Sequence, residues 1–354
     1  MPKVDESKKT RLYVIASLAI SITFIILILK FTIKPEEISN LFRHEIRYEY
    51  FLLAIIVHIL TWFIWGARLK LMSNAVDKNV KISVWSSTKI VIANLFLACI
   101  TPSMAGGEPI RIHLLTKEGM SIGSATAATL GERLIDAIFI LICVPIAFIV
   151  FNSYIDDFRI KIGVGVGIIV FLIGIILFAY AIKKPNKIKA LLLWINKKAS
   201  RFSKKEKKQR KIIDKINTEV DNFHNSMMFL IDKKKKTFFI GFILTILLWS
   251  TAFIVASLIL LGLGLNPFFI ESYAAQILLL VIVMLPTTPG SSGVTEVGIG
   301  GLYLPLIGSS LIGIFVLLFR LATYYTNIIA GAIFQYKIFR SVASFSMDMI
   351  KKKD

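Results

Sequence analysis

Cysteine is scarce in this chain: Cys99 and Cys143 are the only two, and both lie in apolar runs. That excludes a disulfide framework and a cysteine-based metal site. The four histidines, His44, His58, His113 and His224, are scattered without ligand spacing, so no metal centre is expected. No Ser/His/Asp group, Cys/His dyad or P-loop is present. Acyl-transfer chemistry and ATP drive within the chain are therefore not expected, nor is a cofactor. Gly163, Gly165 and Gly167 imitate a nucleotide loop, but no strand precedes them and they open a hydrophobic run. Packing between helices is the expected role of these glycines. Acidic residues are also short: 22 Asp and Glu face 42 Lys and Arg, for a formal net charge of +20.

What the chain has instead is apolar length. Hydrophobic residues make up 56% of the sequence and its mean hydropathy is +0.73. They fall in runs of about 20, enough to cross a hydrocarbon core of roughly 30 Å at about 1.5 Å per residue. The expected fold class is an all-α polytopic membrane protein. Six full spans are read at 12–31, 50–71, 124–151, 162–182, 237–263 and 309–336. Two further hydrophobic stretches, 88–117 and 272–306, are broken midway. Lys8, Lys9 and Arg11 before the first run imitate a signal peptide, but no small-residue cleavage pattern follows Leu29. An uncleaved first span is expected.

Charge sets the orientation. The stretch 183–236 holds 18 Lys and Arg against 5 Asp and Glu, a net +13 in one segment. Contact with anionic headgroups on the cytoplasmic side explains such a run in a membrane protein better than nucleic acid does. The N-terminus, the 68–89 loop and the Lys351-Lys352-Lys353 tail are basic as well. Six spans place all of these on the cytoplasmic side, both termini included, if each broken segment re-enters from the side it left. The two halves then run in opposite senses, as an inverted repeat. The first repeat is 1–182 with hairpin 88–117, and the second is 237–354 with hairpin 272–306, span 162–182 belonging to the second. Within the insert 183–236, Ile212, Ile216, Val220, Phe223, Met227 and Leu230 recur every three or four residues. They form one face of an amphipathic helix, either packed on the end of the bundle or lying in the headgroup layer.

The breaks carry the chemistry. The first reads Thr101-Pro102-Ser103-Met104-Ala105-Gly106-Gly107-Glu108, and the second Thr288-Pro289-Gly290-Ser291-Ser292-Gly293-Val294-Thr295-Glu296. Pro102 and Pro289 remove backbone donors and disfavour helix before them. The hydroxyls of Thr101 and Thr288 can pair with freed backbone groups, and Gly106, Gly107, Gly290 and Gly293 permit close approach. The restarted helices aim positive N-termini into the membrane, where an anion would be held. Glu108 and Glu296 stand in those first turns, as caps or as partners of intramembrane arginines. Arg133 follows Glu108 by 25 residues and Arg320 follows Glu296 by 24, so one pair per half is expected. Glu132 and Asp136 share a helix face and need a cation between them, from Arg133 or Arg111. Ionisable groups at such depth are functional candidates. Trp62, Trp65 and Arg68 read as an interfacial anchor at the cytoplasmic end. His58 reads as a satisfied interior histidine.

These residues resemble the membrane domain of lysylphosphatidylglycerol synthases, a family also found as a stand-alone flippase-like membrane protein. The resemblance covers nearly the whole chain. It is strongest over Thr101–Asp136, with Thr-Pro, Gly-Glu, Arg111 and Glu132-Arg133-x-x-Asp136, and over Pro286–Gly290, Gly293 and Glu296, followed by Arg320 and Tyr324. It implies translocation of lipids between leaflets. The aminoacyl-transferring domain of the synthases has no counterpart after the last span, so synthesis of a lysyl lipid is not expected. The implied substrate is an anionic or aminoacylated phospholipid or a polyprenyl-phosphate lipid. Membrane lipids are the expected partners, and nucleic acid is not. A second copy of the chain and a separate lipid-modifying enzyme are compatible partners. Two other functions fit the same residues: ion-coupled transport of a small polar solute, and a non-transporting membrane scaffold.

Overall fold

The computed structural model describes residues 46–77, 80–101, 106–151, 154, 158–199, 206–283, 291 and 293–334. The expected span 12–31 lies outside them, as do Pro102, Thr288, Pro289 and Gly290. All regular structure among the described residues is helical. In chain order the helices are α1 (Tyr48–Val76), α2 (Val84–Ile100), α3 (Gly107–Lys117), α4 (Ile122–Phe151), α5 (Phe158–Lys183) and α6 (Pro185–Ala199). Then come α7 (Glu206–Lys233), α8 (Lys235–Gly262), α9 (Phe269–Val283), α10 (Val294–Ile307) and α11 (Ser309–Arg320). A π-helical turn, Leu321–Tyr325, carries α11 onward, making one continuous helix Ser309–Phe334.

Four of these are long and apolar enough to cross a membrane: α1 with 29 residues, α4 with 30, α8 with 28 and the extended α11 with 26. They match the expected spans to within a few residues. Helix α5 covers the expected span 162–182 and turns Ile169, Ile173, Ile176 and Leu177 outward. The helices flanking the breaks are shorter. Helices α2 and α3 have 17 and 11 residues, and α9 and α10 have 15 and 14. At 1.5 Å per residue they reach about 16–26 Å, less than the roughly 30 Å of a hydrocarbon core. Each short helix packs against its neighbour across the break.

The apolar side chains gather in two main clusters. One joins α4, α8, α9, α10 and α11, and the other joins α1, α2, α3 and the first half of α4. Helix α8 lies along α1 as its main partner. Where α1 meets α2 the approach is close: a Cβ added at Gly66 would stand 2.9 Å from the backbone Cα of Thr88. Gly165 behaves otherwise. Among the described residues nothing lies within 4 Å of where its Cβ would be.

Helix α7 is packed on the bundle. Val220, Met227 and Leu230 of its apolar face are buried. Glu219 accepts a hydrogen bond from the Gly123 amide at 2.7 Å, satisfying an orphan donor at the start of α4. A Cβ at Gly123 would meet Asn222 and the Glu219 carbonyl.

Candidate functional site

The first break is closed by Thr101. Its hydroxyl donates to the Leu97 carbonyl at 2.6 Å and accepts from the Gly106 amide at 2.9 Å, so one side chain serves both freed ends. Gly107 lies so close to α2 that a Cβ there would sit 2.8 Å from Asn94 Oδ1. This close approach sets Glu108 and Arg111 on α3 against α1 and α4.

The expected pair forms: Arg133 Nε donates to Glu108 Oε1 at 2.8 Å. It belongs to a larger cluster. Arg68, read from sequence as an interfacial anchor, is fully buried instead. Its Nε donates to Glu132 at 3.0 Å, and its Nη1 donates to Asp136 at 2.5 Å and to the Thr245 hydroxyl at 2.6 Å. The cation between Glu132 and Asp136 is therefore mainly Arg68. Arg111 faces Glu132 Oε2 at 3.1 Å, off the hydrogen-bonding direction, and donates to the Thr129 carbonyl at 3.3 Å. Arg133 reaches Asp136 at 3.4 Å, and Trp249 donates to the same carboxylate at 3.2 Å.

Trp65 is the centre of this arrangement and likewise not an interfacial anchor. The guanidinium carbons of Arg68, Arg111 and Arg133 lie 6.0, 5.5 and 5.7 Å from its ring centroid. An aromatic face is a favourable neighbour for a cation that has left water. Three arginines and three carboxylates (Glu108, Glu132, Asp136) give a formally neutral cluster. Exposure divides it. The side chains of Arg133 and Glu108 are 38% and 31% exposed, whereas those of Arg68, Arg111 and Glu132 are at most 1% exposed.

The second half repeats the pair with a different environment. Arg320 Nε donates to Glu296 Oε1 at 2.9 Å, and both side chains are buried. Glu296 is also a cap: its Oε2 accepts from the Gly293 amide at 2.6 Å. The two roles weighed for this carboxylate, capping and arginine pairing, are held at once by its two oxygens. Gly293 takes φ 91°, a conformation open to glycine at little cost. Tyr324, presented by the π-helical turn, lies under Arg320 at 4.1 Å and donates to the Cys99 carbonyl at the end of α2. About one turn on, Asn327 Oδ1 accepts from Trp62 Nε1 and pairs with His58 Nε2, each at 3.0 Å. The last helix thus holds both α1 and the tip of α2.

Of the expected site residues, the structure brings Glu108, Arg111, Glu132, Arg133 and Asp136 into one cluster. Gly293, Glu296, Arg320 and Tyr324 form a second, and Thr101 and Gly107 shape the first break. Sequence reasoning missed Arg68, Trp65, Thr245 and Trp249.

The chain matches the family described as the lysylphosphatidylglycerol synthase TM region over residues 14–331. A UPF0104 membrane protein of Archaeoglobus fulgidus is 31% identical over 286 residues, covering 80% of this chain and 84% of that protein. A UPF0104 membrane protein of Pyrococcus horikoshii is 24% identical over 325 residues, covering 90% and 95%. One from Methanothermobacter thermautotrophicus is 25% identical over 292 residues, covering 80% and 82%. No solved structure matches.

Proposed function

The chain belongs to the family of the lysylphosphatidylglycerol synthase transmembrane region, and from that premise we propose that it translocates a lipid with an anionic headgroup between membrane leaflets. The substrate class is an anionic or aminoacylated phospholipid or a polyprenyl-phosphate lipid. The chain sits in the cell membrane with both termini cytoplasmic, and acts without covalent chemistry of its own.

One observation carries this reading: an arginine–carboxylate pair within the apolar part of the chain that is open to a ligand. Arg133 and Glu108 are each about a third exposed, and the buried Arg68–Glu132–Arg111 group behind them fixes α1, α3 and α4. A phosphate oxygen exchanges for Glu108 on the Arg133 guanidinium, a planar fork suited to phosphate. Glu108 then keeps company with Arg111 or takes an amine or a proton. The N-terminus of α3, at the same break, adds its partial positive charge.

The two broken segments act as re-entrant hairpins in an inverted repeat. Their short helices and the recurrence of the glutamate–arginine pair support this. The contrast between the pairs fits such a mechanism: the first is accessible while the second is sealed. Alternating access requires one side open and the other closed.

The test is headgroup translocation in proteoliposomes with a panel of labelled lipids. Wild type, Arg133→Ala, Glu108→Gln, Arg320→Ala and Glu296→Gln are compared, each checked for folding. Movement of an anionic lipid by wild type, lost in folded Arg133→Ala, supports the proposal. Failure to move any lipid, with and without a proton gradient, overturns it in favour of solute transport or a scaffold.

A further inference from the structure

Helix α6 is an amphipathic segment that keeps its apolar stripe largely exposed among the described residues. Its neighbour α7 buries Val220, Met227 and Leu230, but in α6 Leu191 is 51% and Trp194 59% exposed. On a helix, Lys187, Leu191 and Trp194 follow at intervals of four and three, so they share one face, and Lys187 is exposed with them. The opposite side is anchored: Lys189 donates to Asp221 of α7 at 2.8 Å. That contact sets which side α6 turns to α7 and which side it turns away.

Position decides what the outward side meets. Helix α5 ends at Lys183 after a run of outward Ile and Leu, and α6 starts at Pro185 with a single residue between. A helix that begins where an apolar helix ends, with Lys183 and Lys184 exposed at the joint, starts at the membrane–water boundary. An exposed tryptophan and leucine flanked by lysine suit that layer, the ring and leucine below the headgroups and the ammonium rising to the phosphates. The surrounding segment, 18 Lys and Arg against 5 Asp and Glu, is complementary to anionic lipid.

From these observations we infer that α6 lies flat in the headgroup layer and that its Lys187–Leu191–Trp194 stripe docks on the surface of an anionic bilayer. This holds whether or not the chain moves lipid. It also assigns the membrane-lying role, one of the two weighed for the 212–230 helix, to a different helix. Helix α7 then bridges the docked α6 to the start of α4 through Lys189–Asp221 and Glu219–Gly123.

The test uses the full chain reconstituted in vesicles of phosphatidylcholine alone or mixed equally with phosphatidylglycerol, carrying lipids brominated near the headgroup end of the acyl chain. Subtracting the fluorescence of Trp194→Phe from that of wild type isolates Trp194, since the other four tryptophans are common to both. The expected result is a blue-shifted Trp194 signal that bromolipid quenches strongly in the anionic vesicles and less in the neutral ones. Lys187→Glu, which keeps Trp194, lowers quenching in the anionic vesicles only, and keeps the test standing if the phenylalanine variant misfolds. Each basic residue removed shifts docking roughly fivefold, the equivalent of about 1 kcal/mol near an anionic surface. Equal quenching in both vesicles overturns the inference. So does a red-shifted signal reached by aqueous iodide, which would give this face to water and to a soluble partner.

Discussion

Replacing Arg68 by methionine is the sharpest test of the buried cluster. Methionine keeps much of the apolar stem and removes the charge. Four hydrogen bonds go with it: one to Glu132, two to Asp136 and one to Thr245. Glu132 is left with the off-axis contact of Arg111, and Asp136 with Arg133 at 3.4 Å and the Trp249 indole at 3.2 Å. The cluster passes from formally neutral to one excess negative charge. Removing one partner of a buried pair typically costs about 3–5 kcal/mol, because the other charge stays buried. Desolvation is nearly complete here, so the full range applies. The assay is equilibrium unfolding in mixed micelles titrated with a denaturing detergent, on Arg68→Met, Asp136→Asn and the double variant. The double variant restores neutrality, so its loss falls short of the summed single losses by about 2 kcal/mol. A loss under about 1 kcal/mol for Arg68→Met, or strict additivity, would refute the reasoning.

The two glutamate–arginine pairs respond differently in the same assay. Glu296→Gln takes the carboxylate from a buried Arg320 and costs about 3–5 kcal/mol, whereas Glu108→Gln loosens a pair about a third exposed and costs about 1 kcal/mol or less. Equal losses would contradict the burial. Gly66→Ala forces α1 and α2 apart at Thr88 and destabilises by about 1–3 kcal/mol, while Gly165→Ala, with no described neighbour within 4 Å of the new methyl, lowers the melting temperature not at all. Glu219→Ala leaves the Gly123 amide without its acceptor and costs about 1 kcal/mol, read as lost hydrogen-exchange protection in the first turn of α4.

Much of this was legible in the sequence because the signals are local or periodic. Apolar runs gave the long helices, and Thr-Pro followed by small residues located both breaks. A glutamate and an arginine at matching separations gave both ion pairs, since an unpaired arginine at that depth is too costly to persist. Arg68 was misread because Trp62, Trp65 and Arg68 have the composition of an interfacial belt. Charge counting would have corrected it. Glu108, Glu132 and Asp136 need three cations, and only Arg111 and Arg133 were assigned. The role of Asn327 had no signal, because its meeting with Trp62 and His58 spans more than 260 positions and depends on the π-helical turn. The exposed stripe of α6 was hidden by the stronger periodicity of α7.

Neutrality of the Trp65 cluster has an electrical consequence. A transmembrane potential acts on net charge, at about 2.3 kcal/mol per elementary charge per 100 mV. Three guanidinium groups balanced by three carboxylates present none, so the field neither drives nor resists a rearrangement that moves the cluster as a unit. In the proposed translocation, any current belongs to what the site carries. A monoanionic lipid moves one charge per cycle and is pulled by voltage. A zwitterionic one moves none, and its rate is flat across the range of membrane potential.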